Sequence, residues 1–587
     1  MGNSVRSQAV EPAGFWKPIM SAIPALAWGR VYRREWLAGD LMAGLIVAIM
    51  LVPQGMAYAL LAGLPPQVGL YASIAPLLLY GLFGTSRSLA VGPVAIVSLL
   101  VASGVGQVAE MGTAVYWQAA LTLALLVGLI QMGMGLLRAG FLVNFLSHPV
   151  LAGFTSAAAL VIGLSQFKHL LGLSTPNLEF VDTAVYTLQH LAETNLITLA
   201  IGLGSMAILL YFKYALGGQL KRRKLPAGLV TPLTKSAPLL VVLLATLLVV
   251  AWRLDVAAGV KVVGYVPAGL PPITTPTLDL TLWRALLPTA LAISFVGYME
   301  SISVAKSLAS KRRQKINSDQ ELVGLGMANL GAAFTGGYPV TGGFSRSVVN
   351  FEAGANTGLA SMVTAVLIAL TVLFLTPLFA YLPQVVLAAI ILVAVASLID
   401  IKTFRHTWRY NKADAASMLV TFGAVLAVGI EMGILLGVAA ALLLFIWRTS
   451  RPHVAVVGRV GSSEQYLNVQ RHTVQTCPRV AAVRIDESLY FANTAYLEET
   501  VLRRVADEPE LAHFVLICTA VNFIDASALE TLESLHQELH DAGVTFHLAA
   551  VKGPVMDRLR TVGFVDSFGP ENIHLSTHDA MKAIGCA

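Results

Sequence analysis

The chain has 587 residues, 56% hydrophobic and only 12% charged, with a formal charge of +6 and a mean hydropathy of +0.72. Soluble proteins carry about 25% charged residues, so the composition excludes an ordinary soluble enzyme and predicts a polytopic membrane protein. The positive charge points to basic residues flanking membrane spans rather than to a nucleic-acid partner.

Three regions are expected in chain order: a cytoplasmic N-terminal segment, 1–37, a transmembrane region, 38–449, and a cytoplasmic tail, 450–587. The first 35 residues lack an apolar signal core and contain Arg30, Arg33 and Arg34, so no cleavable signal is expected. Apolar windows then predict about fourteen crossings. Their centres are Ile49, Leu77, Val97, Leu125, Ala157, Ile201, Leu243, Ile293, Met327, Val348, Leu370, Ala389, Leu419 and Val438. Basic clusters at Arg87, Arg138, Lys221–Lys224, Lys311–Lys315 and Lys402–Lys412 fall only after even-numbered spans. By the positive-inside rule both termini are cytoplasmic.

Seven spans per half gives the halves opposite topology, the inverted-repeat plan of many secondary transporters. The third and tenth segments are too short to cross alone. One opens at Val91-Gly-Pro93 and the other at Gly342-Gly-Phe-Ser345, and proline suits a first helical turn. Paired half-helices whose N-termini meet near the midplane mark a binding site. Within Thr341-Gly-Gly-Phe-Ser-Arg-Ser347, Arg346 puts a cation where insertion costs roughly 2.5–3.5 kcal/mol, which marks an ion or substrate path. Free N–H groups at a helix start add an anion cradle.

Two further groups join this candidate site. Gln54 and Tyr58, in Ile49-Met-Leu-Val-Pro-Gln-Gly-Met-Ala-Tyr58, are four residues apart and share a helix face just after Pro53. They can donate hydrogen bonds without adding charge. Glu300, in the eighth span, reads as a titrating group, a sodium ligand, or a fixed partner for Arg346. Lys306, closer to the basic cluster, is expected to snorkel to the interface.

Ala57-Tyr-Ala-Leu-Leu-Ala-Gly-Leu-Pro-Pro-Gln-Val-Gly-Leu-Tyr71, Val91-Gly-Pro-Val-Ala95 and the stretch Gly336–Asn350 resemble the sulfate permease (SulP) family of anion transporters. The resemblance implies a 7+7 inverted-repeat fold with core and gate domains and elevator-like alternating access. It places an inorganic anion, sulfate by preference, among Gln54, Tyr58, Gly92, Pro93, Val94, Phe344, Ser345 and Arg346. Glu300 takes the position associated with cation coupling. Proton symport is the preferred reading; sodium-coupled bicarbonate or dicarboxylate transport and anion exchange stay open. A homodimer is also implied. The expected location is a bacterial inner membrane, no cofactor or metal is expected, and no nucleophile–base arrangement or phosphate-binding glycine loop supports an enzyme.

In the tail, strands are expected at Ala481–Ile485, Leu489–Phe491 and Phe514–Cys518, with helices over Thr494–Val505 and from Ser527. Asn522-Phe-Ile-Asp-Ala-Ser-Ala-Leu529 resembles the STAS-domain signature, implying a regulatory domain with a protein or nucleotide partner. Ser527 stands where related antagonists accept phosphate, but it also fits a capping box with Glu530, the favoured reading. A membrane-anchored STAS signalling scaffold is the alternative of another class. Intramembrane Glu300 and Arg346 argue against it. Cys477, Cys518 and Cys586 show no metal spacing and read as reduced thiols.

Overall fold

A computed structural model describes residues 22–141, 147–174, 180–223 and 227–586. Residues 1–21 of the expected N-terminal segment, and Lys224 of one basic run, lie outside the described residues. The chain divides into two compact units, Met1–Ala440 and Ala441–Ala587.

The first unit is helical. All the predicted span centres fall inside helices. Eight helical runs among the described residues are long and apolar enough to cross a bilayer, from Arg34–Leu61 to Ile430–Ser450. Pro53 does not interrupt the first span, Arg34–Leu61, which runs through it as one helix. The third and tenth segments are short, Ala95–Gly106 and Phe344–Glu352. At 1.5 Å per residue they reach about 18 and 14 Å, well short of a hydrocarbon core of about 30 Å. Each follows a two-residue strand, β1 (Val91–Gly92) or β2 (Thr341–Gly342). These pair antiparallel, Val91 opposite Gly342 and Gly92 opposite Thr341. The fold is the 7+7 inverted repeat that the span count predicts.

Backbone polar groups inside a bilayer have no water to satisfy them, so this non-helical crossing needs dedicated partners. Asn329, fully buried in the ninth span Ser318–Phe334, accepts from the Val340 N–H at 2.8 Å and donates to the Val340 carbonyl at 3.0 Å. In the eighth span, Leu280–Lys311, Ser301 Oγ accepts from the Gly342 N–H at 2.8 Å. Thr341 Oγ1 donates to the Gly297 carbonyl at 2.6 Å. A β-carbon at Gly297 would stand 3.0 Å from that hydroxyl, so glycine lets β2 lie this close. Ser347 Oγ, in turn, accepts from the Ala90 N–H at 2.9 Å and ties the tenth segment to the approach of β1.

The second unit, taken by itself, is an α/β domain. It contains β3 (Val454–Arg459), β4 (Tyr466–Asn468), β5 (Val480–Ile485), β6 (His513–Ile517), β7 (Thr545–Ala549) and β8 (Ile573–His574) in the order β4-β3-β5-β6-β7-β8. Strands β5 to β8 are parallel, and β3 runs antiparallel to β4 and β5. Successive side chains of a strand face opposite sides, and β6 shows it. Phe514 and Leu516 join one apolar core with Leu497, Val501 and Leu535, while Val515 and Ile517 join another with Ala580 and Met581.

Three expectations for the tail are corrected. Leu489–Phe491 is not a strand; only an isolated bridge joins Leu489 to Ile524. The helix Ala526–Asp541 is capped by Asp525, whose Oδ1 accepts from the Ala528 N–H at 2.9 Å, and not by Ser527, which is exposed in the first turn. Cys477 and Cys586 form a disulfide across 109 residues of sequence. Only Cys518 is free, and burial pushes its thiol up to about 12.

Candidate anion site where two half-helices meet

Neither half-helix has a side-chain cap. Val94 precedes Ala95–Gly106 and Gly343 precedes Phe344–Glu352, and neither residue has a side-chain acceptor to offer. The first-turn N–H groups of both therefore stay available, with the positive ends of two helix dipoles directed at the crossing. Of the predicted residues on these turns, Phe344 is 61% exposed and Ser345 is also exposed, while Gly92, Pro93 and Val94 are buried.

Arg346 reaches back across the crossing. Its Nη1 donates to the Pro93 carbonyl at 2.5 Å, joining the two half-helices. Nε and Nη2 are buried and have no hydrogen-bond partner. The guanidinium lies between two glycines: a β-carbon on Gly343 would stand 3.0 Å from Nη2, and one on Gly92 would stand 3.4 Å from it. Gly92 has φ +153° as well, a conformation that favours glycine. A guanidinium presents its donors in a planar fork suited to two oxygens of one oxyanion.

Tyr58, Glu300 and Tyr338 are the groups that interact electrostatically with this cation. Glu300 and Arg346 form no ion pair, and Glu300 Oε2 is buried without a partner. Tyr58 is buried; Gln54 is half-buried, and its amide has no protein partner among the described residues. The structure thus gathers Arg346, Pro93, Tyr58 and Glu300 around one locus, with Gln54 one turn before Tyr58.

Sequence reasoning missed Tyr338 and Ser98. Tyr338 is fully buried, and its hydroxyl lies 3.0 Å from Ser98 Oγ on the third segment. The only sequence signal was an aromatic directly before Pro339 in the approach to β2. Also missed was Glu431, which accepts from Thr289 Oγ1 at 2.6 Å and so links the fourteenth and eighth spans. Ser527 lies in the other unit.

The comparisons agree with this architecture. Residues 37–421 match the family described as the Sulfate permease family, and residues 471–580 match the STAS domain. The chain is 37% identical to Sulfate transporter 4.1, chloroplastic, of Arabidopsis thaliana, over 96% of this chain and 82% of the relative. It is likewise 37% identical to Probable sulfate transporter 4.2 of the same plant, over 97% and 84%. Among solved structures, the murine Solute Carrier 26 family member A9 anion transporter in the inward-facing state superposes with a TM-score of 0.88. That match has 26% identity and covers 99% of this chain and 97% of the other.

Proposed function

The chain belongs to the sulfate permease family, and from that premise we propose that it is a secondary active transporter of sulfate, coupled to protons. One observation carries the reading: a guanidinium at the meeting point of two uncapped half-helices keeps two buried N–H bearing nitrogens unpartnered. Buried polar groups are nearly always satisfied, and a tetrahedral oxyanion supplies the missing acceptors. Gln54, Tyr58, Ser345 and the first-turn N–H groups beside Val94 and Phe344 complete the donor set.

Coupling follows from charge. Moving one charge through 100 mV costs about 2.3 kcal/mol, so importing a dianion costs about twice that before any gradient. An ionised Glu300 near Arg346 opposes an arriving dianion; a protonated one does not. Anion and proton therefore favour each other's binding, the reciprocity a symporter requires. The movement proposed is elevator-like, with both half-helices travelling together because Arg346 and β1–β2 bind them to each other. The chain acts as a homodimer in a bacterial inner membrane with both termini cytoplasmic. Residues 38–449 transport, and residues 450–587 regulate through a protein or nucleotide partner. Exposed Ser527, relieved of capping by Asp525, is the candidate regulatory position.

The test is uptake of labelled sulfate by proteoliposomes, with pH and sodium varied separately. An inward proton gradient should accelerate wild-type uptake. Glu300→Gln should keep sulfate exchange and lose that acceleration. Uptake that needs sodium and ignores pH would overturn proton coupling and leave the anion site standing.

A further inference from the structure

Between the twelfth span, whose helix Gln384–Val395 continues as a tighter 3-10 turn through Ala396–Leu398, and the thirteenth, Lys412–Val428, lies a ten-residue helix, Ile401–Tyr410, none of whose residues is buried. Asp400 caps it by accepting from the Thr403 N–H at 2.9 Å. It packs against the His148–Leu171 and Lys412–Val428 spans. Thr403, Phe404 and Thr407 are half-covered on that side, leaving the remaining face open. Because a span lies directly on either side of it in sequence, the helix is held at a membrane boundary.

The open face is graded. Taking about 100° per residue, Ile401 and Trp408 fall within about 20° of each other. Arg405, Arg409 and Lys402 follow at about 40°, 80° and 100° from Ile401, and His406 and Tyr410 at about 140° and 180°. Circling the face therefore leads from apolar, through cationic, to weakly polar side chains. Ile401 is 58% and Trp408 49% exposed. Among the described residues Lys402, Arg405 and Arg409 have no ion pair. The same order occurs on descending from acyl chains through phosphates to water, and tryptophan with basic residues is the usual pairing at that depth.

We propose that the Ile401–Tyr410 helix is a docking surface for anionic phospholipid in the leaflet it borders. Ile401 and Trp408 enter the acyl boundary, and Lys402, Arg405 and Arg409 hold headgroup phosphates. Three cations with no acidic neighbour on the open face make the complementarity one of charge, so a zwitterionic lipid fits the apolar edge and gains little from the cations. The surface belongs to neither half-helix and does not depend on which anion is transported.

Electron spin resonance of the purified full chain in phosphatidylcholine nanodiscs tests this, using trace spin-labelled phosphatidylglycerol or phosphatidylcholine. The chain should immobilise the anionic label in preference, by roughly five-fold for each cation engaged at low salt, and less at high salt. The triple variant Lys402→Gln, Arg405→Gln, Arg409→Gln should reduce the preference to near unity, while Lys402→Arg with Arg409→Lys retains it. Equal immobilisation of both labels by the wild type, or an unchanged preference in the glutamine variant, would overturn the proposal. Displacement of the label by millimolar glycerol phosphate would also overturn it, because the headgroup alone would then be the ligand.

Discussion

The membrane unit holds buried charge in two opposite ways. Asp40 and Glu321 are fully buried, and each is surrounded by donors. Asp40 accepts from the Asn356 and Thr357 N–H groups at 2.6 and 3.1 Å, from Thr357 Oγ1 at 2.8 Å and from the Tyr32 hydroxyl at 3.2 Å. Glu321 accepts from the Tyr80 hydroxyl at 2.6 Å, the Thr85 N–H and hydroxyl at 2.6 and 2.5 Å, and the Ser86 N–H at 2.8 Å. At the crossing, Glu300 keeps one buried oxygen and Arg346 two buried nitrogens without partners. The contrast separates roles that residue type alone cannot. A charge whose hydrogen bonds are complete fastens the fold, and one left open awaits something from outside it.

The sharpest way to break this comparison is to remove one member of each kind. Arg346→Leu should cost more than 100-fold in sulfate affinity while leaving thermal stability unchanged or slightly higher. Keeping an unpaired charge buried is itself costly, so removing the guanidinium relieves that cost against the loss of one hydrogen bond to Pro93. Arg346→Lys should recover only part of the affinity, since an ammonium loses the planar fork. Isothermal titration and thermal unfolding of the same purified chain give the two readouts. An Arg346→Leu chain that unfolds early would make the tie to Pro93, and not the open nitrogens, the main role of the guanidinium.

Glu321→Ala should behave in reverse. It strands the Tyr80 hydroxyl and the donors of Thr85 and Ser86, which lead into β1. The expected loss is about 3 kcal/mol of stability, from leaving several buried donors unmade. Sulfate affinity per folded molecule should fall much less than in Arg346→Leu. A Glu321→Ala chain that is stable yet does not bind would move Glu321 into the site.

The tail holds titratable groups that burial keeps neutral. His547 lies between His513 and His574, with nitrogen–nitrogen separations of 3.2 and 3.3 Å, one partner on each ring nitrogen. Burial, then the two neighbouring imidazoles, pushes His547 down to about 4. His513 is lowered by burial and then by Arg479, and His574 by burial against the opposing pull of Asp579. The unfolded chain binds the proton more tightly than the folded one, so stability is fully present above about pH 6.5 and is lost as pH falls toward 4. Between pH 7 and pH 5, His547 alone should account for about 2 kcal/mol. Hydrogen exchange of β6 and β7 in the full chain, corrected for intrinsic rates, should show that loss, and His547→Gln should flatten it. A pH-independent wild type would mean the three rings titrate as if exposed.

Much of this was legible in the sequence because punctuation in an apolar chain is conspicuous. Gly92-Pro93 and Gly342-Gly343 announced the half-helices, and Arg346 announced the charge between them. What stayed hidden depended on three-dimensional register. Glu321, three residues into its span, carried no signal in the sequence, because its set of donors arrives from a loop more than 230 positions away. Tyr338 and Ser98 meet only because β1 and β2 pair. Both Asp525 and Ser527 are good capping residues, and the pairing of Ser527 with Glu530 favoured the wrong one. The Cys477–Cys586 disulfide closes 109 residues, a separation from which no pairing can be read.

The smallest effect tests the fit around the cation. Gly343 has φ −90° and ψ 128°, which alanine adopts freely, so Gly343→Ala introduces no backbone strain and lowers the entropy of the unfolded chain. Its new methyl would stand 3.0 Å from Arg346 Nη2, 3.2 Å from Cζ and 3.3 Å from Nε. The guanidinium must therefore give way by a few tenths of an ångström, tilting the two unpartnered nitrogens while the chain folds normally. Sulfate affinity should drop by a few-fold, roughly 1 kcal/mol, with no loss of stability. Gly92→Ala is the counterpart: at φ +153° it strains the backbone before it touches Arg346, so its loss should appear in unfolding as well. If Gly343→Ala binds sulfate as wild type does, the orientation of Nε and Nη2 does not set the affinity. The N–H groups of the two helix starts would then be the main grip on the anion.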